Sequence, residues 1–306
     1  MLNIIGNRKY FYAISGILVG AALLAMLVFR FREGIDFAGG TLWQFRAASG
    51  NTDSAAVQNI FKTDLALSDV IATYDMTNGT FLVRTSEISE ADHQKYLNVL
   101  KGKITSFEEL SFQSIGPSIG AALRKNALIA IGLVLVGISL YIALAFRKAS
   151  RPVSSWKYGL VTLLSLFHDV VIPAGLLAAL GHFLKIEIDS NFIVALLVVM
   201  GFSVHDTIVV FDRIRENLLK SRGKEEFELI INASVNQTLA RSVNTSLTLI
   251  LVLVALYFTG PINLHYFVLT LLVGVTTGIY SSIFIASPAL LIFSKNAKNP
   301  YKTSPK

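Results

Sequence analysis

Six stretches of this chain are apolar for long enough to cross a lipid bilayer, and nothing else in the sequence narrows the fold so far. About 20 consecutive apolar residues span the hydrocarbon layer as a helix. Residues 10–29, 127–146, 158–180, 192–211, 239–258 and 265–293 each meet that length. Lipid offers the backbone no hydrogen-bond partners, so each run must be helical. The sixth is the longest and is expected to tilt or fray near Pro288. Composition agrees: 15% of residues are charged, where a soluble domain carries about a quarter. The first run follows Arg8 and Lys9, as in a secretory signal. Its apolar core is long for one, and Phe29-Arg30-Phe31-Arg32 lacks the small residues a peptidase needs. It reads as an uncleaved anchor.

The short loops orient these spans. Arg147, Lys148, Arg151 and Lys157 lie between the second and third, and Arg213, Arg215, Lys220, Arg222 and Lys224 between the fourth and fifth. Lys295, Lys298, Lys302 and Lys306 follow the sixth, whereas the opposite loops hold only Lys185. Basic residues collect on the cytoplasmic side, so both termini are expected there, in a multi-pass protein of the cytoplasmic membrane. The net charge of +7 then belongs to cytoplasmic loops and lipid headgroups, not to nucleic acid. The expected divisions are 1–32, the N-terminus and first span; 33–124, an extracytoplasmic domain; 125–294, a five-helix region; and 295–306, a cytoplasmic tail.

Inside the extracytoplasmic domain, strands are expected at 41–47, 70–74, 80–85 and 107–115. A helix over 52–66 presents Val57, Ile60, Phe61 and Leu65 on one face, and a second over 89–100 opens on Ser89 with a capping pattern. The order β-α-β-β-α-β suggests an α+β ferredoxin-like sandwich. Within 213–240, Phe227, Ile230, Ile231, Val235 and Leu239 recur at helical spacing opposite Glu228, Asn232 and Asn236. That pattern predicts an amphipathic cytoplasmic helix lying along the headgroups.

Charges inside the spans demand a reason, since each costs about 2.5–3.5 kcal/mol or more at the bilayer centre. The third span holds His168 and Asp169, the fourth His205 and Asp206, and the fifth begins with Arg241. Asp206 and Arg241 are expected at similar depth on adjacent antiparallel spans, able to pair. Such a pair either marks an ion or proton path or only fixes helix packing. Pro173, four residues after Asp169, frees the Asp169 carbonyl from its helical bond. Asp206, Arg241 and Asp169 are therefore the proton-coupling candidates, with His205 and His168 secondary to them. The absence of cysteine excludes thiol catalysis and thiolate metal sites. Neither HExxH nor a GxSxG nucleophile occurs, so no enzyme, metal or cofactor is expected. Gly16/Gly20 and Gly274/Gly278 have the spacing of close helix packing, within the chain or against a partner.

Longer motifs point to a family. Gly34-Ile35-Asp36-Phe37-Ala38-Gly39-Gly40 follows the first span, and Ile115-Gly116-Pro117-Ser118-Ile119-Gly120 leads into the second. Phe167-His168-Asp169 lies in the third. The fourth carries Gly201-Phe202-Ser203-Val204-His205-Asp206-Thr207-Ile208-Val209-Val210-Phe211-Asp212-Arg213-Ile214-Arg215-Glu216-Asn217. Asn232-Ala233-Ser234-Val235-Asn236-Gln237-Thr238-Leu239-Ala240-Arg241-Ser242 enters the fifth. In these motifs and their order the chain resembles the SecF family of protein-export subunits, relatives of the resistance-nodulation-division transporters. Phe202 stands where that family usually has Tyr, and His205 where it has Asn. The resemblance implies a 1:1 complex with SecD, association with the SecYEG channel and SecA, and use of the proton-motive force to draw preproteins across the membrane. It implies that Asp206 and Arg241 serve proton flow, and it marks Gly34, Asp36, Gly39, Gly40, Gly116, Pro117, Asp212 and Arg213 as motif positions. A half-transporter for small molecules or lipids, a membrane-embedded hydrolase and a purely structural partner of SecD are the competing classes.

Overall fold

The computed structural model describes residues 2–47, 53–75, 79–147, 153–221, 224–261 and 264–294. Thr52 of the expected helix, Lys148, Arg151, Arg222 and the tail 295–306 lie outside the described residues. The chain divides into two compact units, Met1–Arg32 with Ile129–Lys306, and Glu33–Leu128.

In the second unit, α2 (Ile35–Ala38) is a single turn before β1 (Gly40–Arg46). Then come α3 (Ser54–Asn59), prolonged by a π turn at Ile60–Asp64, β2 (Ile71–Asp75), β3 (Thr80–Thr85), α4 (Glu90–Lys103) and β4 (Glu108–Ile115). The strands form one antiparallel sheet in the order β2-β3-β1-β4. Trp43 sits across from Val83 on one side and Phe112 on the other. Alternation sends Trp43, Phe45, Phe81 and Val83 to the face that packs with Val57, Phe61 and Leu100. Ser89 caps α4: its hydroxyl accepts from the Asp92 amide at 3.2 Å and donates to the Asp92 carboxylate at 2.8 Å. The motif glycines build the base of this unit. Gly40 has φ 125°, and a Cβ there would lie 2.7 Å from the Thr85 carbonyl. Gly39 presses on the backbone of Pro117, Gly116 on the Glu87 carboxylate, while Gly34 and Asp36 open the α2 turn.

Among the described residues, six helices are long and apolar enough to span a membrane. They are α1 (Arg8–Phe29), α5 (Pro117–Ala145), α6 (Ser155–Leu184), α7 (Ser190–Ser221), α8 (Phe227–Thr259) and a composite sixth. The sixth runs as α9 (His265–Ser281), a π turn (Ser282–Ala286) and α10 (Ser287–Ser294). The irregularity expected at Pro288 thus takes the form of a π turn just before it. Half of the apolar window of α6, α7 and the sixth span is buried, against small fractions of α1, α5 and α8. Three helices therefore form a core and three lie outside it. Small residues set the crossings. A Cβ on Gly175 of α6 would come within 2.4 Å of Ala22 on α1, and one on Gly274 of α9 within 2.2 Å of Val199 on α7. Gly274 and Gly278 are used inside the chain, whereas nothing lies within 4 Å of a Cβ built on Gly16 or Gly20.

The expectation of an amphipathic segment along the headgroups is corrected here. Phe227–Thr259 is one helix of 33 residues, about 50 Å at 1.5 Å per residue, and overshoots a hydrocarbon layer of about 30 Å. Its first turns are buried in protein: Ile230, Ile231 and Val235 belong to the main core. The polar row opposite grips the start of the chain. Asn232 Oδ1 accepts from the amides of Ile4 (3.0 Å) and Ile5 (3.2 Å), and Asn236 Oδ1 from that of Leu2 (2.9 Å). Both asparagine amides donate back to the Leu2 carbonyl, and Arg8 pairs with Glu228 at 2.7 Å. An amphipathic pattern reads equally as a face between lipid and water or as a face between two protein surfaces; here it is the second.

Candidate functional site

The core trio brings its polar side chains together. On α6, Asp169 is fully buried. Its Oδ2 accepts from Ser203 Oγ of α7 at 2.5 Å and from Ser281 Oγ at the end of α9 at 2.6 Å. Its Oδ1 lies 2.8 Å from His168 Nδ1. The His168 ring is buried, stacks on Tyr280 with centroids 6.0 Å apart, and leaves Nε2 without a hydrogen-bond partner. Pro173 sits inside the same helix.

Asp206 lies nearly two turns further along α7 than Val199 and Met200, and it is 94% buried, with 6% exposure. Ser242 of α8 and Ser282 of the π turn stand beside its carboxyl. Among the described residues its Oδ2 is buried without a hydrogen-bond partner, as is the Ser242 hydroxyl. Ser282 in turn exchanges a hydrogen bond of 2.9 Å with Thr207. The two carboxylates of this site therefore differ in kind. Asp169 is held on both oxygens; Asp206 keeps one open.

The expected pairing of Asp206 with Arg241 is not found among the described residues. Successive helical residues point about 100° apart, and on α8 it is Ser242 that faces Asp206. Arg241 turns outward, exposed, and lines a pocket of about 240 Å³ with Ala145, Phe146, Ile208, Val209, Asp212 and Arg215. His205, a quarter turn from Asp206, is exposed on the same face of α7 as Ile208, Val209 and Asp212. With Asn244, Thr245 and Thr248 of α8, also exposed, they make a polar stripe on an otherwise apolar helical surface.

Asp212 and Arg213 are both engaged by side chains near them. Asp212 pairs with Arg215 at 3.2 Å, and Arg213 donates to Gln237 of α8 at 2.7 Å. Asn217 reaches both Gln237 (2.9 Å) and Ser234 (2.8 Å), so the end of α7 and the start of α8 are sewn together. Among the described residues no three His, Asp or Glu side chains converge as a metal site would require. Sequence reasoning missed Ser203, Thr207, Ser242, Ser281 and Ser282. Serine and threonine in apolar helices commonly bond their own preceding turn, so their presence alone is a weak signal.

The family described as protein export membrane protein SecD/SecF, C-terminal, matches residues 95–296. The chain is 43% identical over 301 residues to the protein translocase subunit SecF of Thermobaculum terrenum, covering 95% of this chain and 93% of the relative. It is 38% identical over 295 residues to the SecF subunit of Anaerolinea thermophila, covering 96% and 94%. Among solved structures, it superposes on SecDF of Thermus thermophilus, described as a translocon-associated membrane protein, with a TM-score of 0.80 and 34% identity. That match takes in 96% of this chain and 39% of the longer SecDF chain.

Proposed function

The chain belongs to the SecD/SecF family of protein-export membrane proteins, and from that premise we propose that it is a subunit of the Sec protein translocase that uses the proton-motive force, together with a SecD-like partner, to promote late steps of preprotein export. It is a transport subunit and not an enzyme in this reading. The observation that carries it is Asp206, a carboxylate buried inside the spans with one oxygen open. Such a group takes up and releases a proton without dismantling a hydrogen-bond network. One proton descending ~100 mV releases ~2.3 kcal/mol, enough to bias helix packing between two arrangements. Asp169 and Arg241 are assigned supporting roles, the first inside the core and the second on the exposed stripe.

That stripe also supports the partnership. Exposed Arg241, His205, Asn244 and Thr245 are costly against lipid tails, and a second subunit that covers them relieves the cost. The longer SecDF chain, of which this one matches only part, supports a SecD-like subunit as that cover, in a 1:1 complex. Its description as translocon-associated supports a place beside the SecYEG channel and SecA, with the emerging preprotein as client. The bias of basic loops supports cytoplasmic termini and an extracytoplasmic domain at 33–124. The β-α-β-β-α-β order and the antiparallel β2-β3-β1-β4 sheet support reading that unit as ferredoxin-like.

The test is preprotein transport into inverted membrane vesicles holding the chain and its SecD-like partner, scored with and without uncoupler. Asp206→Asn is expected to leave the complex intact and the ATP-driven part unchanged while removing the uncoupler-sensitive part. Full uncoupler-sensitive transport in that variant overturns proton coupling and leaves a structural subunit.

A further inference from the structure

The hydroxyls between the two carboxylates are arranged as two rungs one helical turn apart. In the first, Ser203 of α7 and Ser281 of α9 both donate to Asp169. In the second, Thr207 of α7 meets Ser282 of the π turn beside Asp206. Ser203 and Thr207 are four apart and share a face of α7. Ser281 and Ser282 are neighbours in sequence, which an α-helix would turn about 100° from each other. The helix changes from α to π between them; the wider π turn lets both point into the bundle, and π turns recur at functional sites. Both serines also lie on one acceptor, the Gly278 carbonyl, at 3.1 and 2.9 Å.

We propose that Ser281 and Ser282 relay a proton between Asp206 and the Asp169–His168 pair, which thereby acts as a second proton-holding station in the core. This rests on the proton-coupling reading of Asp206 and extends it to residues with no assigned role. In the step, the carboxylic O–H of Asp206 breaks as its proton passes to Ser282 Oγ. Ser282 turns its hydroxyl from the Gly278 carbonyl toward Ser281 and gives up its own proton there, and Ser281 gives its proton to Asp169 Oδ2. Both serines end neutral, and one proton has moved from carboxyl to carboxylate. Rotation of the two hydroxyls resets the path. The groups facing this path are Asp206 and Thr207 from α7, His168 and Asp169 from α6, Tyr280 from α9 and Ser242 from α8; His205 faces outward.

The experiment compares Asp206→Asn, Asp169→Asn, Ser281→Ala, Ser282→Ala and Ser282→Thr in the chain with its SecD-like partner, reconstituted in vesicles. Proton flux under an imposed gradient and the infrared C=O stretch of protonated carboxyls are both read. Each alanine variant is expected to slow flux by about tenfold or more, the lower range of what a placed proton-transfer group contributes, with complex yield unchanged. Ser282→Thr, which keeps a hydroxyl, should restore it. Two carboxyl bands are expected, one lost in Asp206→Asn and the other in Asp169→Asn. Wild-type flux in both alanine variants alongside a dead Asp206→Asn overturns the relay alone. Wild-type flux in Asp206→Asn overturns the reading beneath it. If an alanine variant fails to assemble, the bands decide: a single band that vanishes with Asp206→Asn refutes the second station.

Discussion

Asp169 shows what a buried carboxylate asks of its surroundings. Three side chains from three positions in the core supply hydrogen bonds to it, so removing it strands the donors as well as the charge. Asp169→Ala is expected to cost about 3–5 kcal/mol, the scale for removing one member of a buried polar set, read as a lowered melting temperature in detergent. Asp169→Asn keeps an acceptor and should cost less. In the other unit, Asp92 is held below the ordinary carboxylate range by the Ser89 hydroxyl and then by Lys95. A carboxylate with a depressed folded value stabilises above its unfolded value, about pH 3.9, and loses that contribution as pH falls through the folded one. Protection of the first-turn amides of α4 against exchange, taken relative to the intrinsic rate at each pH, should therefore fall below about pH 4, and Asp92→Asn should flatten that dependence. At this scale the sequence disclosed the charged residues and little of their company. Asp206 and Asp169 stood out because lipid makes charge conspicuous. The serines around them did not, since a hydroxyl satisfied by its own helix looks the same in sequence as one aimed at a carboxylate. The Asp206–Arg241 pair failed for an angular reason: depth is legible from position in a span, but facing depends on how the helix is rotated against its neighbours.

Helices in lipid gain nothing from hydrophobic burial against each other, so close approach of backbones carries the association. The crossing of α1 and α6 depends on Gly175, where a Cβ would collide with Ala22. Gly175→Val is expected to destabilise the chain by about 1–3 kcal/mol, the range for overpacking, measured by thermal unfolding in detergent. Gly16→Ala, with open space around it, should leave stability within about 0.5 kcal/mol of the parent. Equal effects at the two positions would refute the packing account. Six spans were legible from apolar length, which is the strongest signal a membrane chain offers. The two GxxxG spacings were legible too, but not that one would be consumed internally and the other left open. The π turn at Ser282–Ala286 was hidden because its residues, Ser-Ile-Phe-Ile-Ala, have no local signature distinguishing π from α.

For the whole molecule, absence of cysteine makes the proposed topology easy to test with single introduced thiols. A thiol at Ser68 should react with an impermeant reagent added outside intact cells, and one at Ser221 should react only once the membrane is opened. The reverse pattern would reject the six-span orientation. The strand and helix order of the 33–128 unit was readable because elements such as β1 and β3 have one wet and one dry face, and alternation reports on both. The start of the chain was not readable at all. Residues 2–8 carry no pattern that names a partner, and the asparagines that hold them seemed to belong to a surface. That grip has a temporal side. The segment ahead of α1 leaves the ribosome long before α8 exists, with 228 residues separating Ile4 from Asn232. At about 5–20 residues per second, the contact closes no sooner than roughly 11 s after Ile4 is made. Until then, the early segment has nowhere native to dock. Closure of the clip is thus a late event in biogenesis, a latch that cannot engage before the first turns of α8 have been made.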